Sequence, residues 1–135
     1  MQIPCPCILI VDDERATALV LQTYLTGSGF EVLSAADADE ALSTLAKRTV
    51  QAVVSDYNMP RTNGLELAAL IKQQYPQIPV FIVSGSLRPP ESATAPIEGW
   101  FTKGQPISVL RDALVQRLGK PQPHRSPKSP RIDGQ

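Results

Sequence analysis

Three short runs of apolar residues, rich in valine and isoleucine, limit the possible folds of this chain more than any other feature. Residues 8–11, 52–55 and 80–83 contain no charged side chain. Strands that are covered on both faces of a parallel sheet have this composition, whereas a half-exposed strand alternates apolar and polar residues. Residues 31–35 and the short segment 99–102 are candidates for a second and a fifth strand. The pattern predicts a parallel sheet buried between layers of helices.

Helical patterns separate the apolar runs. One helix is predicted over residues 14–26, one is capped by Asp37 or Asp39, one follows Asn63, and the last has Pro106 in its first turn. The residues expected to face the sheet are Val20, Leu21, Tyr24, Leu25, Ala41, Leu42, Leu45, Ala46, Leu67, Leu70, Ile71, Ile107, Leu110, Ala113 and Leu114. Strands that alternate with helices predict an α/β fold with a doubly wound parallel sheet.

The segment 85–98, between the fourth and fifth strands, departs from this regular alternation. It contains three prolines and few large apolar residues. Because proline removes a backbone donor and clashes with the preceding helical turn, we expect only a short or irregular fourth helix here.

Length and charge narrow the class of protein. The 135 residues suit one domain, and 13 basic residues balance 13 acidic ones, so no overall positive field attracts nucleic acid. No apolar run is long enough for a membrane span, and we expect a soluble, cytoplasmic protein. Residues 119–135 hold four prolines and four basic residues, and we predict a folded domain over 1–118 with a disordered basic tail.

Chemically active side chains follow the predicted strands. Asp12 and Asp13 end the first strand, Asp56 the third, Ser84 the fourth and Lys103 the fifth. In a doubly wound parallel sheet, functional groups collect at the carboxyl ends of the strands, so we expect these side chains to converge. Read one at a time, the acids are also compatible with helix capping, Ser84 with a simple turn, and Lys103 with a solvated surface position.

Together these groups suit phosphoryl transfer. Clustered carboxylates disfavour one another's ionisation unless a hard cation such as Mg²⁺ lies among them. A carboxylate can also act as a nucleophile and form an aspartyl phosphate, while a lysine neutralises charge on the phosphoryl oxygens. A phosphatase of the haloacid dehalogenase type would need Asp-x-Asp on one loop, but Asp56 is followed by Tyr57 and Asn58.

Four motifs make the chain similar to a known family. "DD" after the first strand, "DYNMPRTNG" after the third, "VSG" after the fourth and "TK" after the fifth occur in order. Over residues 8–118 the chain resembles the receiver domain of bacterial two-component response regulators. The resemblance implies a CheY-like, flavodoxin-like (βα)5 fold with strand order 2-1-3-4-5.

The resemblance also implies roles for individual residues. Asp56 corresponds to the phosphoacceptor and Lys103 to the lysine that pairs with the phosphoryl group. The implied Mg²⁺ ligands are Asp12, Asp13, Asp56 and the backbone carbonyl of Asn58. Ser84 and Trp100 occupy the two switch positions, although Trp100 is equally compatible with a core residue. Asn58 and Ser86 flank the side on which phosphate enters.

Two features depart from the family pattern. Gly104 follows Lys103 where the family usually has proline, so we expect a trans Lys103–Gly104 bond and a differently shaped loop. Trp100 and Phe101, next to the proline-rich segment, suggest an aromatic patch for an output partner.

The expected function is that of a stand-alone response regulator, because no further domain follows residue 118. A histidine kinase or phosphotransfer protein would donate a phosphoryl group to Asp56, and an unidentified output protein would read the result. The kinase is expected to contact the Lys103 loop and helix one at Glu14, Arg15, Ala18 and Gln22. Direct binding to nucleic acid or a membrane is not expected. A phosphate sink, a phosphorelay intermediate, or an interaction module that does not depend on phosphorylation are the alternatives.

Overall fold

The computed structural model describes residues 5–86, 88–90 and 96–121. The strands are β1 (Cys7–Val11), β2 (Glu31–Ala35), β3 (Ala52–Asp56), β4 (Val80–Ser84) and β5 (Gly99–Thr102). The helices are α1 (Arg15–Gly27), α2 (Ala38–Lys47), α3 (Gly64–Gln74) and α4 (Ile107–Leu118). Among the described residues a helix follows each strand except β4, which is followed directly by β5. All four strand pairs are parallel, in the order β2-β1-β3-β4-β5. The predicted fold class is therefore confirmed.

The order of the strands determines where a site can form. β1 pairs with both β2 and β3, so the chain leaves β1 for one edge of the sheet and later returns to its other side. This reversal opens a crevice beyond the carboxyl ends of β1 and β3. Every residue of both strands is buried, which agrees with the unbroken apolar runs.

Successive strand residues point to opposite faces of the sheet and supply two separate cores. Leu9 belongs to one core, with Leu45 of α2 and with Leu67 and Ile71 of α3. Ile8 and Ile10 pack on the other face with α1 and α4, where Leu25 and Leu114 are fully buried. Burial on both faces is what holds the central strands in position.

Local signals begin and end the helices. The side chain of Asp37, not that of Asp39, caps α2 by accepting a hydrogen bond from Glu40 N at 2.8 Å. Asn63 and Glu66 form a reciprocal capping box at the start of α3, with both bonds at 2.8 Å. α1 ends where Gly29 adopts a φ of 106°, a conformation that glycine adopts at little cost.

Three residues predicted to face the sheet are exposed instead. Val20 on α1 is 57% exposed, Leu70 on α3 is 37% exposed, and Ala46 on α2 is also at the surface. The inward positions of α1 and α3 include Ala18 and Ala68, which are small and buried. The prediction chose the larger apolar side chains as the buried ones. A helix that lies close to a sheet instead favours alanine at the contact.

No helix occurs among the described residues of the proline-rich segment, which are 85–86, 88–90 and 96–98. The remainder of the predicted short helix, at 87 and 91–95, and the tail from residue 122 onward lie outside the described residues. Among the described helices, none combines the length and apolar character that a membrane span requires.

Candidate functional site

Three carboxylates meet at the crevice beyond β1 and β3. Asp12 and Asp13 follow β1, and Asp56 is the last residue of β3. One oxygen from each lies within 4.8 Å of the others. Asp12 and Asp56 are only 5% and 6% exposed, whereas Asp13 is open to solvent. The predicted acidic cluster is thus assembled by the fold, with two of its members buried.

Asp12 lies in an environment that disfavours its negative charge. Burial raises the pKa of its carboxyl group above the ordinary value, and the charge of Asp56 raises it further. A hydrogen bond from Glu14 N to Asp12 Oδ1, 2.9 Å long, acts in the opposite direction. Asp12 therefore holds the backbone of Glu14, the residue before α1, and also contributes an oxygen to the cluster. The N-cap residue of α1 is Glu14 and not an aspartate, and it makes no side-chain cap bond, so the capping interpretation is not confirmed.

One oxygen of Asp56 lacks a hydrogen bond. Oδ1 is fully buried and has no hydrogen-bond partner among the described residues, although Lys103 Nζ lies 3.3 Å away as an ion pair. The ammonium is close enough to attract the carboxylate, but its geometry is not that of a hydrogen bond. Because a buried polar atom without a partner is costly, this oxygen is available to a ligand.

The backbone around Asp56 is held firmly. Ser55 Oγ donates to Asp56 O at 2.9 Å, and Tyr57 N donates to Val83 O at 2.9 Å. Gly64 N donates to Tyr57 O, also at 2.9 Å, and a Cβ on Gly64 would lie 2.6 Å from Asp56 O. The absence of a side chain on Gly64 lets the start of α3 approach the backbone of Asp56.

Ser84 and Lys103 lie on the other side of the cluster. Ser84 is 1% exposed, and its Oγ accepts a hydrogen bond from Ser86 N at 3.1 Å. Lys103 N donates to Ser84 O at 2.8 Å, which ties the loop after β5 to the end of β4. The Lys103–Gly104 bond is trans, as predicted from the absence of proline.

Trp100 lies partly in the core, and its predicted role as a switch residue stays a prediction. Its half-buried ring packs against the α2–α3 core and lies 5.4 Å, centroid to centroid, from the ring of Tyr57. Its indole N–H donates to Ser86 O at 2.9 Å. Ser86 therefore links Trp100 to Ser84. Tyr57 was not assigned a role from the sequence, although its place directly after Asp56 was a usable signal.

The predicted patch of Trp100 and Phe101 does not form. Phe101 points to the opposite face of the sheet, where its ring lies 6.2 Å from that of Phe81. Neighbouring residues of a strand alternate between faces, so that prediction was wrong. The aromatic pair on the α2–α3 face consists of Trp100 and Tyr57.

Asn58 and Ser86 are both exposed at the mouth of the crevice. The predicted metal contact of the Asn58 carbonyl stays a prediction. The three carboxylates nevertheless fit Mg²⁺, since the ion prefers carboxylate oxygens and this cluster supplies three, including one that has no hydrogen-bond partner.

A doubly wound sheet of order 2-1-3-4-5, with an acidic cluster at its switch point, belongs to the flavodoxin-like class of α/β proteins. Within that class, the response regulator receiver domain matches residues 8–113. The chain belongs to the response regulator receiver domain family, and the resemblance noted from the four motifs is confirmed.

Individual relatives agree with this assignment. The DNA-binding transcriptional regulator NtrC of Salmonella typhimurium is 29% identical over 94% of this chain, which covers 28% of that protein. The chemotaxis protein CheY4 of Vibrio cholerae has 28% identity and a TM-score of 0.77, with 84% of this chain and 98% of that chain covered. A signal receiver domain from an HD domain-containing protein of Pseudomonas fluorescens has 30% identity and a TM-score of 0.76, with coverages of 83% and 93%. The chain spans less than a third of the length of the curated relatives it matches.

Proposed function

We propose that this protein is a phosphorylation-controlled binding switch in which Asp56 accepts a phosphoryl group from a histidine kinase or a phosphotransfer protein. The observation that carries the proposal is the buried Asp56 Oδ1, which has no hydrogen-bond partner among the described residues and lies 3.3 Å from Lys103 Nζ. A buried carboxylate oxygen that has no hydrogen bond and lies beside an ammonium group suits a nucleophile for phosphorus.

The transfer proceeds by substitution at phosphorus. A carboxylate oxygen of Asp56 forms a bond to the phosphorus of the donor phosphohistidine, and the P–N bond breaks. The imidazole nitrogen leaves with the electron pair, and an aspartyl phosphate remains. Lys103 stays protonated and offsets charge on the phosphoryl oxygens, while the Ser84 hydroxyl can donate to one of them. Asp12, Asp13 and Asp56, with the Asn58 carbonyl, would hold Mg²⁺, which supplies further neutralisation when bound.

In this proposal the phosphoryl donor protein docks on α1 and on the loop that carries Lys103. Leu19 and Val20 are 61% and 57% exposed, and form an apolar ridge on α1. Beside Val20, a cavity of about 330 Å³ extends to Lys103 and Ile107. Ala18, which the sequence placed in the contact, is buried and takes no part.

The response to phosphorylation passes through Ser86. If the Ser84 hydroxyl turns toward a phosphoryl oxygen, its bond from Ser86 N changes, and the Ser86 carbonyl holds the indole of Trp100. An output protein would then contact the half-exposed pair of Trp100 and Tyr57. We place these events in the bacterial cytoplasm, where the free thiols of Cys5 and Cys7 would stay reduced.

The test is phosphorylation by acetyl phosphate in the presence of Mg²⁺, followed by intact-mass measurement. We expect one phosphoryl adduct on the wild-type protein and none on Asp56→Asn. Asp112→Asn, an exposed acid on α4, is the matched control and should be labelled like the wild type. The proposal is wrong if the wild type gains no adduct, or if Asp56→Asn gains the same one.

A further inference from the structure

Gln105 binds both backbone groups of Thr102, the last residue of β5. Gln105 N donates to Thr102 O at 3.1 Å, and the Gln105 side-chain Oε1 accepts from Thr102 N at 3.1 Å. The main-chain bond closes the turn from Thr102 to Gln105, and the side-chain bond closes it a second time. Gln105 itself is exposed, so burial does not explain its position.

These two bonds hold the residue next to Lys103. Lys103 N faces β4 and donates to Ser84 O at 2.8 Å. Because backbone groups of successive strand residues face opposite sides, those of Thr102 face the free edge of the sheet. The backbone at Lys103 is thus fixed on one side by Ser84 and on the other by Gln105.

Gly104 makes such a restraint necessary. It has no side chain to fix the turn, and a Cβ at this position would meet nothing within 4 Å. Glycine also has the greatest backbone freedom of any residue. Without the bond to the Gln105 side chain, a single main-chain bond, from Gln105 N to Thr102 O, would close the turn, and only the bond from Lys103 N to Ser84 O would add to it.

We propose that Gln105 is a positioning residue for phosphoryl transfer, whose side-chain oxygen fixes the turn that presents Lys103 Nζ to Asp56. The inference rests on the proposed function, because Lys103 matters only if Asp56 accepts a phosphoryl group. Gln105 does not touch the carboxylates. Its substitution should therefore change the rate of phosphoryl transfer to Asp56 and leave the affinity for Mg²⁺ unchanged.

The experiment compares Gln105→Met, which keeps the length but loses the oxygen, with Gln105→Glu, which keeps an accepting oxygen. Gln116→Met, an exposed glutamine on α4, is the matched control. The rate of labelling by phosphoramidate at saturating Mg²⁺ should fall about fivefold in Gln105→Met, the effect of one ordinary hydrogen bond. It should recover in Gln105→Glu and stay unchanged in Gln116→Met, while Mg²⁺ affinity stays the same in all four proteins.

A second measurement separates this inference from the proposed function. Exchange of the Thr102 amide hydrogen should become about fivefold faster in Gln105→Met alone, since that bond protects it. If the wild type is labelled and Gln105→Met is labelled equally fast, the positioning role is wrong and the proposed function stands. If no protein is labelled, the proposed function and the positioning role both fail, even if Thr102 exchange shows that the bond exists. A parallel loss of Mg²⁺ affinity in Gln105→Met would indicate a general structural role and would also overturn the inference.

Discussion

The two sides of the crevice are built differently. We call the side formed by Asp12, Asp13, Asp56 and Gly64 the acceptor half, and the side formed by residues 84–86 and 100–105 the responding half. In the acceptor half, two carboxylates are buried and a Cβ on Gly64 would meet the Asp56 carbonyl at 2.6 Å. In the responding half, a Cβ on Gly85 or Gly104 would meet nothing within 4 Å.

The difference separates two requirements of a switch. A nucleophile must keep its place, and tight backbone contacts provide that. A group that responds to phosphorylation of the nucleophile must be able to move. Single hydrogen bonds next to open space permit such movement. Ser84, Ser86 and Trp100 are connected by one hydrogen bond at each step, so that a change at one residue can reach the next.

The largest effect is expected in the acceptor half, from Gly64→Ala. The added methyl group would overlap the Asp56 carbonyl and press on Ile82 Cδ1 at 3.1 Å. We expect the free energy of unfolding to fall by about 3 kcal/mol, at the upper end of overpacking effects. Urea denaturation measures it, with Gly27→Ala as the control, because a Cβ there meets nothing within 4 Å. A loss below about 1 kcal/mol would show that the acceptor half is looser than the contacts indicate.

Asp12→Asn should raise the free energy of unfolding in the absence of Mg²⁺, by less than Gly64→Ala lowers it. Asparagine keeps the oxygen that accepts from Glu14 N but removes a charge that burial and Asp56 disfavour. The variant should therefore be more stable than the wild type at neutral pH, as measured by urea denaturation.

The pH dependence of this gain follows from the raised pKa of Asp12. The folded protein holds the Asp12 proton more tightly than the unfolded chain, so ionised Asp12 lowers stability above the folded pKa. That penalty shrinks as the pH falls through the folded pKa, and it is absent below the ordinary value of 3.8. The stability advantage of Asp12→Asn should shrink in the same range, and an advantage that persists at low pH would contradict the assignment to charge.

In the responding half, Trp100→Phe should lower the free energy of unfolding by about 1 kcal/mol, the net contribution of one hydrogen bond. Phenylalanine keeps a ring beside Tyr57 but cannot donate to Ser86 O. Thermal unfolding followed by circular dichroism measures the change, with Tyr57→Phe as a control that keeps the ring pair.

Trp100→Ala should weaken the binding of an output partner, because it removes the whole ring from the proposed contact surface. An unaltered affinity would show that Trp100 does not belong to that surface.

The smallest effect is expected from Gly104→Ala. Because the position is open, the free energy of unfolding should stay within about 0.5 kcal/mol of the wild-type value. Chemical denaturation alongside Gly64→Ala tests the contrast directly. Equal losses in the two variants would mean that the two halves do not differ in packing.

The parallel sheet could be predicted from the sequence, and so could the edge of the sheet at which the site lies. Both depend on the local composition of the strands and of the residues that follow them. Buried parallel strands require unbroken apolar runs, and parallel strands bring their carboxyl ends to one edge. Asp12, Asp13, Asp56, Ser84 and Lys103 therefore converge as expected.

The parts that could not be predicted depend on contacts between distant segments. Gly64 is the first residue of α3, and nothing in the sequence near it reveals the approach of the Asp56 carbonyl. The exposure of Val20 and Leu70 was missed because helical periodicity does not distinguish a core side chain from an apolar one on the surface. Phe101 was misplaced for a simpler reason, since strand alternation was available and separates it from Trp100.

The turn closed by Gln105 also affects how the protein behaves in the presence of its own copies. Among the described strands, β5 pairs only with β4, so its other edge offers backbone groups to a further strand. Open sheet edges of this kind recruit further chains and promote aggregation. By occupying both groups of Thr102, Gln105 shortens an already brief edge of four residues. We therefore expect Gln105 to lower the tendency of this edge to pair with a strand of a second copy.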